Sequence, residues 1–358
     1  MISTVFLELT NHCNMNCDFC ASRLMTRPRG YMPVKLAKSV IDQLKELNFR
    51  GSLITSLMGE PLLHPNFKEI IKYSIKSGIK TNVITNFLLV PERIQTEELL
   101  TSGIDILCLS YQTPDVTTFT SRGSKILFEK YFNKLKEILI FIRDNPINTH
   151  RIEIHILHTF YNFLNVEIIN DYSLIESVAL ELFNILYPRN SDMSRTVLDK
   201  TMITRSIKKF KRGKQYLDTF EIKIGSGVYI VLKRANTWAN YLIPKDCTVS
   251  PQKRGHCSFF YSALGVLWDG RCTVCCQDFD GQIFVGNANL SPIENIWKSK
   301  RLMKIREMEK KGLMVNKFCQ ACKGKIEKNG HEFSIVKKQG WMNKFFQLAN
   351  RAKVKLIK

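Results

Sequence analysis

The chain has 358 residues, and 53 Lys and Arg against 32 Asp and Glu leave a formal net charge of +21. That length fits one large domain, or one of roughly 200–250 residues carrying a smaller partner. With 44% hydrophobic and 24% charged residues, general disorder is excluded. No apolar run approaches the roughly 18 residues of a membrane-spanning helix, and Glu8 interrupts the place where a signal peptide carries its apolar core. A cytoplasmic protein is expected, in which clustered cysteines mean metal or catalysis more often than disulfides.

The first half alternates short apolar runs with amphipathic stretches. Strands are predicted over 5–9, 52–57, 80–85, 105–110, 151–158 and 179–186. Helices are predicted over 35–47, 66–77, 96–102, 127–144 and 164–177. This alternation implies a parallel sheet curled into a full or partial barrel. Ligands in such folds gather at the C-terminal ends of the strands. Residues 195–214 are strongly basic and read as a solvated connection or a substrate-facing segment. From 221 to 340 the character changes to short strands and Gly-containing turns, so a boundary is placed near 240. The division is 1–240, with 195–240 connecting, then 241–335, then a basic tail over 336–358.

Eleven cysteines form two groups. Cys13, Cys17 and Cys20 follow the first strand, while Cys247, Cys257, Cys272, Cys275, Cys276, Cys319 and Cys322 cluster late; Cys108 stands alone. A closed zinc site needs four ligands, and only His12 adjoins the first three cysteines. Three thiolates instead suit a [4Fe–4S] cluster with one iron left open to a small molecule.

The Cys13/Cys17/Cys20 spacing, with Phe19 before the last cysteine, strongly resembles the radical S-adenosylmethionine (radical SAM) superfamily. The resemblance implies S-adenosylmethionine on the open iron, cleaved reductively to a 5′-deoxyadenosyl radical that abstracts a substrate hydrogen. Phe19 is then expected beside the adenine. Met58-Gly59-Glu60-Pro61 resembles the family's GGEP segment, which receives the methionine amino group, with Met58 in place of the first Gly. Thr85-Asn86 resembles the TNG segment, with Phe87 replacing the Gly. Ser110 matches a position that often bonds the ribose or carboxylate, and Arg122-Gly123 resembles the RG that follows. The cofactor-binding set is therefore Phe19, Gly59, Glu60, Asn86, Ser110 and Arg122. The resemblance covers about residues 1–190.

The later cysteines, with Trp268-Asp269-Gly270-Arg271 and Cys275-Cys276-Gln277-Asp278 between them, resemble the auxiliary-cluster domain called SPASM, or its short form, twitch. The expected architecture is α/β, a partial (β/α)6 TIM-like barrel with a small C-terminal α+β SPASM/twitch domain. One auxiliary [4Fe–4S] cluster is assigned to Cys257, Cys275, Cys319 and Cys322. A structural zinc site on the same residues is the alternative, and Cys272 or Cys276 could replace Cys275. Asp278 reads as a turn residue.

Radical epimerases of the resembling families return hydrogen from a thiol, so Cys108 and Cys276 are candidate donors. Cys108 shares a strand face with Ser110, and a small buried apolar role is its alternative. For a dehydrogenation, Arg151, Glu153, His155 and Tyr187 are candidate pocket residues that could supply a base. The charge favours an anionic substrate, a small molecule or a peptide. An external donor such as flavodoxin or ferredoxin is implied, and no RNA-binding module is visible. Residues 337–358 carry seven Lys or Arg and no acid. They read as a helix packed on the body or as an interfacial one peripheral to a membrane. Oxidation or epimerisation of a carbohydrate-like or other small polar substrate is the leading expectation. A peptide-modifying maturase is the rival and a non-enzymatic iron–sulfur protein a minor one. Many maturases carry an N-terminal leader-binding domain, and this sequence opens directly on a barrel strand.

Overall fold

In the computed structural model, residues 2–158, 172–188, 193–211, 219–243, 246–328 and 331–333 are described. Expectations for the tail beyond 333 lie outside them. The sheet begins with β1 (Thr4–Leu7), whose Val5 and Leu7 are buried against α1 (Val34–Glu46). In α1 the residues Leu36, Ala37, Val40, Ile41 and Leu44 fall on one face at helical spacing. Next come β2 (Ser52–Ile54), α2 (Phe67–Lys76), β3 (Lys80–Thr85), α3 (Thr96–Thr101), β4 (Ile106–Gln112), the one-turn α4 (Val116–Phe119), α5 (Phe128–Asp144) and β5 (Arg151–His158).

Beyond β5 the helix expected over 164–177 is present from Tyr172, its earlier residues lying outside those described, but the strand expected after it is not. Residues 179–186 are not a strand but part of α6 (Tyr172–Leu186). Its buried residues Ile175, Val178, Ala179, Leu182, Phe183 and Leu186 recur at three and four, so the apolar run belongs to a helix buried over much of its circumference. The basic stretch is likewise helical as far as residue 211, in α7 (Met193–Lys211), and its last three residues lie outside those described. The sixth parallel strand arrives later. After β6 (Thr219–Gly225), β7 (Val228–Arg234) pairs parallel with β5 and antiparallel with β6.

The rest of the chain adds β8 (Cys247–Ser250), α8 (Phe259–Ser262), β9 (Ala263–Val266), β10 (Arg271–Thr273), β11 (Phe284–Asn287), α9 (Ile293–Trp297), α10 (Lys300–Lys310), α11 (Lys317–Cys322), β12 (Lys325–Lys328) and β13 (His331–Phe333). Among the described residues the main sheet runs β11-β10-β9-β1-β2-β3-β4-β5-β7-β6, and a second has the order β13-β12-β8. The main sheet is parallel from β9 to β7. It is open-edged, a partial barrel as expected, and it continues past residue 240 because β9 pairs directly with β1.

Each central strand buries one set of side chains under the helices. On β4 and β5 that set is Leu107, Leu109, Ile152, Ile154 and Ile156. The alternate set, Cys108 and Ser110 on β4 with Glu153, His155 and Leu157 on β5, faces the other way. Leu157 packs there against Phe19, so this face lies under the loop of the first three cysteines. No helix among the described residues is long and apolar enough to cross a membrane.

Candidate active site and cysteine centres

The loop carrying Cys13, Cys17 and Cys20 leaves β1 and is clamped from two sides. Glu60 N–H donates to His12 O at 2.8 Å, and Asp18 N–H donates to Ser121 O at 2.8 Å. Both clamps need glycine. Gly59 has φ +80, and a Cβ there would lie 2.2 Å from Thr10 O; Gly123 has φ +57, and a Cβ would lie 2.4 Å from Asn16 O. The resemblance to the GGEP and RG segments thus has a physical basis, the close approach of backbone to the cysteine loop.

Glu60 is buried and its carboxylate is nearly saturated. It accepts from Leu62 N–H (3.1 Å), Thr85 Oγ1 (2.7 Å) and Asn86 N–H (2.7 Å). Burial nonetheless pushes it up to about 7. Glu60 therefore ties the end of β2 to the end of β3. Asn86 in turn donates through Nδ2 to Asn14 Oδ1 at 2.7 Å and reaches Cys13 Sγ at 3.8 Å. Phe87 takes the left-handed φ of +50 where the resembling motif has Gly, and its ring stacks on Tyr131 at 4.7 Å.

Arg122 is fully buried beneath the loop. It donates to Gln112 Oε1 (2.5 Å), Tyr131 OH (3.1 Å) and Met15 Sδ (3.1 Å), and it lies 5.8 Å from the Phe19 ring centroid. Burial pushes the Cys17 thiol up, and the charge of Arg122, which favours the thiolate, offsets part of that rise. Ser110 is buried on the face below, its carbonyl accepting from Tyr131 OH at 2.9 Å.

The thiols have the environment of cluster ligands. Burial pushes Cys13 up to about 12 and Cys20 up to about 11. Such thiols ionise when a bound cation supplies positive charge. N–H groups already point at sulfur: Met15 N to Cys13 Sγ at 3.5 Å, Ser22 N to Cys20 Sγ at 3.4 Å, and Gln277 N to Cys275 Sγ at 3.4 Å. His12 stacks on Tyr31 at 4.8 Å.

In the second group Cys257, Cys275, Cys276, Cys319 and Cys322 lie close enough for their ionised thiols to repel one another. Cys272 is elsewhere, buried in β10 with its thiol on Gly270 O at 3.5 Å, and Cys247 lies beside Asp246. The three-way choice for the second ligand narrows to Cys275 or Cys276. Asp278 is the turn residue expected, accepting from Thr273 Oγ1 (2.7 Å), Gln282 N–H (2.8 Å) and Ile283 N–H (2.7 Å). One zinc ion draws its sulfurs to about 3.8 Å of each other, given Zn–S of about 2.3 Å. Among the described residues, neither cysteine group brings three ligand atoms within 4.8 Å of one another.

Of the candidate pocket residues, Glu153 and His155 share the face under the loop with Cys108. Arg151 donates to Glu153 Oε1 at 2.7 Å and stacks on Tyr229 at 3.9 Å. Tyr187 does not belong there. Residues 179–186 are helical, and Tyr187 packs on Phe183 at 5.0 Å in the helical layer.

The sequence reading missed the segment joining the two cysteine centres. Trp238 Nε1 donates to Phe19 O at 2.9 Å, Ala239 N–H to Gln277 Oε1 at 2.7 Å, and Asn240 Nδ2 to Ala321 O at 2.8 Å. All three residues have positive φ, 50, 58 and 65. No Gly marks the turn, so no local signal announced it.

Comparison with known proteins now has a geometry to meet. Residues 7–160 match the model of the radical SAM superfamily, and residues 257–323 match SPASM, an iron–sulfur cluster-binding domain. The chain belongs to the radical SAM superfamily. Its cofactors are accordingly a [4Fe–4S] cluster with S-adenosylmethionine and auxiliary iron–sulfur in the SPASM domain.

The chain is 23% identical over 229 residues to the tungsten-containing aldehyde ferredoxin oxidoreductase cofactor-modifying protein of Pyrococcus furiosus, covering 61% of this chain and 63% of that one. It is 29% identical over 110 residues to a PqqA peptide cyclase of Granulibacter bethesdensis, 30% of this chain and 29% of the other. The first two curated relatives are spanned over 63% and 52% of their lengths. The fold is shared with SuiB of Streptococcus suis, at a TM-score of 0.54 and 15% identity, over 84% of this chain and 67% of that one.

Proposed function

We propose that this protein is a radical SAM enzyme that abstracts hydrogen from carbon in a small, polar, anionic substrate and completes an oxidation or an epimerisation. The observation that carries the reading is the placement of the clamped cysteine loop above a polar strand face, with Phe19 packed on Leu157 and Cys108, Glu153 and His155 below.

Cys13, Cys17 and Cys20 would hold the first cluster, and Cys257, Cys275, Cys319 and Cys322 the auxiliary one. When bound and reduced, the first cluster supplies the electron that cleaves S-adenosylmethionine to the 5′-deoxyadenosyl radical. The chain's own residues do the rest. The loop before Glu60 and the side chain of Asn86 present polar groups beside Cys13. Phe19 offers a ring, Ser110 a hydroxyl on the strand face, and Arg122 keeps the loop in place from below. Lys233 on β7, half-buried, gives this face a cation for an anionic substrate. In an oxidation, His155, held neutral by burial and fixed by Glu153 at 2.8 Å, accepts the proton, and the auxiliary cluster would supply the acceptor for the one electron the substrate radical gives up. In an epimerisation, the hydrogen returns from the thiol of Cys108 or of Cys276.

Peptide modification is the second reading, favoured by the similarity to a PqqA peptide cyclase. The test is an anaerobic reaction with a one-electron donor and S-adenosylmethionine, run against panels of phosphorylated or nucleotide-linked sugars and of short peptides. A sugar that raises 5′-deoxyadenosine release and acquires deuterium or loses two hydrogens supports the first reading. Stimulation by peptides alone replaces it with the second.

A further inference from the structure

Cys108, Glu153 and His155 converge as no other group of His, Cys, Asp and Glu among the described residues does: one ligand atom from each lies within 4.8 Å of the other two. The convergence comes from the sheet. Cys108 and Glu153 are register partners on parallel β4 and β5, and Glu153 and His155 are two apart on the same face of β5. Glu153 Oε2 lies 2.8 Å from His155 Nε2 and 3.7 Å from Cys108 Sγ.

We propose that Cys108, Glu153 and His155 bind a single zinc-class divalent ion, separate from both cysteine centres, with its fourth position open to the strand face under the cysteine loop. Thiolate, carboxylate and imidazole are zinc's ordinary donors, and three protein ligands with one open position is the arrangement of a catalytic rather than a structural site. With bonds of about 2.0–2.3 Å, the edges of the ligand tetrahedron are about 3.3–3.8 Å. One edge here is already shorter at 2.8 Å, one falls within that range at 3.7 Å, and the third lies within 4.8 Å.

The supporting layer is present as well. Arg151 Nε donates to the other oxygen of Glu153 at 2.7 Å and is itself paired with Glu221 at 2.7 Å, which fixes the carboxylate's direction. Arg151 and His155 both hydrogen-bond to the Glu153 carboxylate, which keeps it the anionic member of the group. Binding breaks the Cys108 S–H bond, forms S–Zn and releases that proton to water, while the proton between His155 Nε2 and Glu153 moves to Nδ1 of the ring so that Nε2 can bind the ion. Because the thiol must lose its proton to bind, zinc affinity rises with pH. Lys233 faces the group from β7 and opposes the ion, while Ile84 on β3, the other register neighbour of Cys108, carries no charge. The ion would hold Cys108 as thiolate and take the lone pair of His155, which leaves Cys276 as the hydrogen donor of an epimerisation and withdraws His155 as the proton acceptor of an oxidation.

The experiment uses the full chain, anaerobically reconstituted with iron and sulfide, given one equivalent of zinc sulfate and desalted. Metal analysis and zinc K-edge X-ray absorption are read together. The expected result is about one retained zinc per chain with one sulfur and two or three nitrogen or oxygen neighbours, at the distances of such sites. Cys108→Ser and His155→Gln should each weaken retention at least tenfold, and Arg151→Gln tenfold to a hundredfold, with iron content unchanged. Lys233→Met should strengthen it. The absorption spectrum needs no variant, so misfolding of one cannot obscure the answer. Zinc lost on desalting, or zinc with an all-sulfur shell from the late cysteines, overturns the proposal. Either outcome leaves Cys108 a free thiol and leaves the hydrogen-abstraction reading standing, since that fails only with loss of S-adenosylmethionine cleavage.

Discussion

Glu60 shows how one residue carries two duties. Its carboxylate joins the loop after β2 to the end of β3 through two hydrogen bonds and caps its own turn with a third, and burial raises it from 4.5 to about 7. The folded chain therefore holds this proton more tightly than the unfolded one. The corresponding stability is fully present below about pH 4.5 and is lost as pH rises toward 7, a change of roughly 3 kcal/mol at most. Denaturation of cluster-free protein across that window should show the slope, and Glu60→Gln should flatten it. The motif residues were legible because they are needed one by one: a backbone approach that admits only Gly59, a left-handed turn at Phe87, a carboxylate at Glu60. The choice between Cys275 and Cys276 was not, since adjacent thiols have the same chemistry and only their directions differ. Iron content should fall by about four in Cys275→Ala and stay near that of the parent in Cys276→Ala, as one cluster carries four irons.

At the scale of elements, the first five strands and their helices were readable because each strand is short and each helix amphipathic. The run at 179–186 misled because a short, mostly apolar segment, broken here only by Glu181 and Asn184, suits a strand and a helix alike. Only its continuation upstream to Tyr172 distinguishes them. The true sixth parallel strand, β7, follows two helices and an antiparallel partner, a spacing that βα alternation does not anticipate. The turn Trp238–Asn240 has a stronger consequence. Three consecutive left-handed residues cost about 1–2 kcal/mol each, and contacts to Phe19, Gln277 and Ala321 hold them. Trp238→Phe keeps the ring and removes the donor to Phe19. It should lower stability by about 1 kcal/mol, read as a shift in denaturation midpoint. It should also alter the electron paramagnetic resonance spectrum of the reduced first cluster, which a purely local packing role would not do.

The molecule as a whole is joined across its two cysteine centres by a buried ion pair as well as by backbone pairing. Arg27 holds Glu8 of the first strand region at 2.7 and 2.5 Å and donates to Phe279 O at 2.6 Å, while Thr26 bonds Asp280. Neither charge reaches solvent appreciably, with side-chain exposures of 3% and 0%. Arg27→Met alone strands a buried carboxylate and should cost about 3–5 kcal/mol, whereas Arg27→Met with Glu8→Leu should cost far less. Thermal unfolding of the single and double variants measures the difference. In sequence, Glu8 was visible only as a charge in an apolar stretch, because its partner is nineteen residues away.

The central claim is that two separate cysteine groups hold two iron–sulfur clusters, the first of them open to S-adenosylmethionine. Iron and sulfide content of anaerobically reconstituted protein, beside the Cys13/Cys17/Cys20→Ala variant, tests it most directly. About eight irons in the parent and about four in the variant is the predicted result, four for each cysteine-bound cluster. About four in the parent and none in the variant would contradict it, and would leave the late cysteines without a cluster.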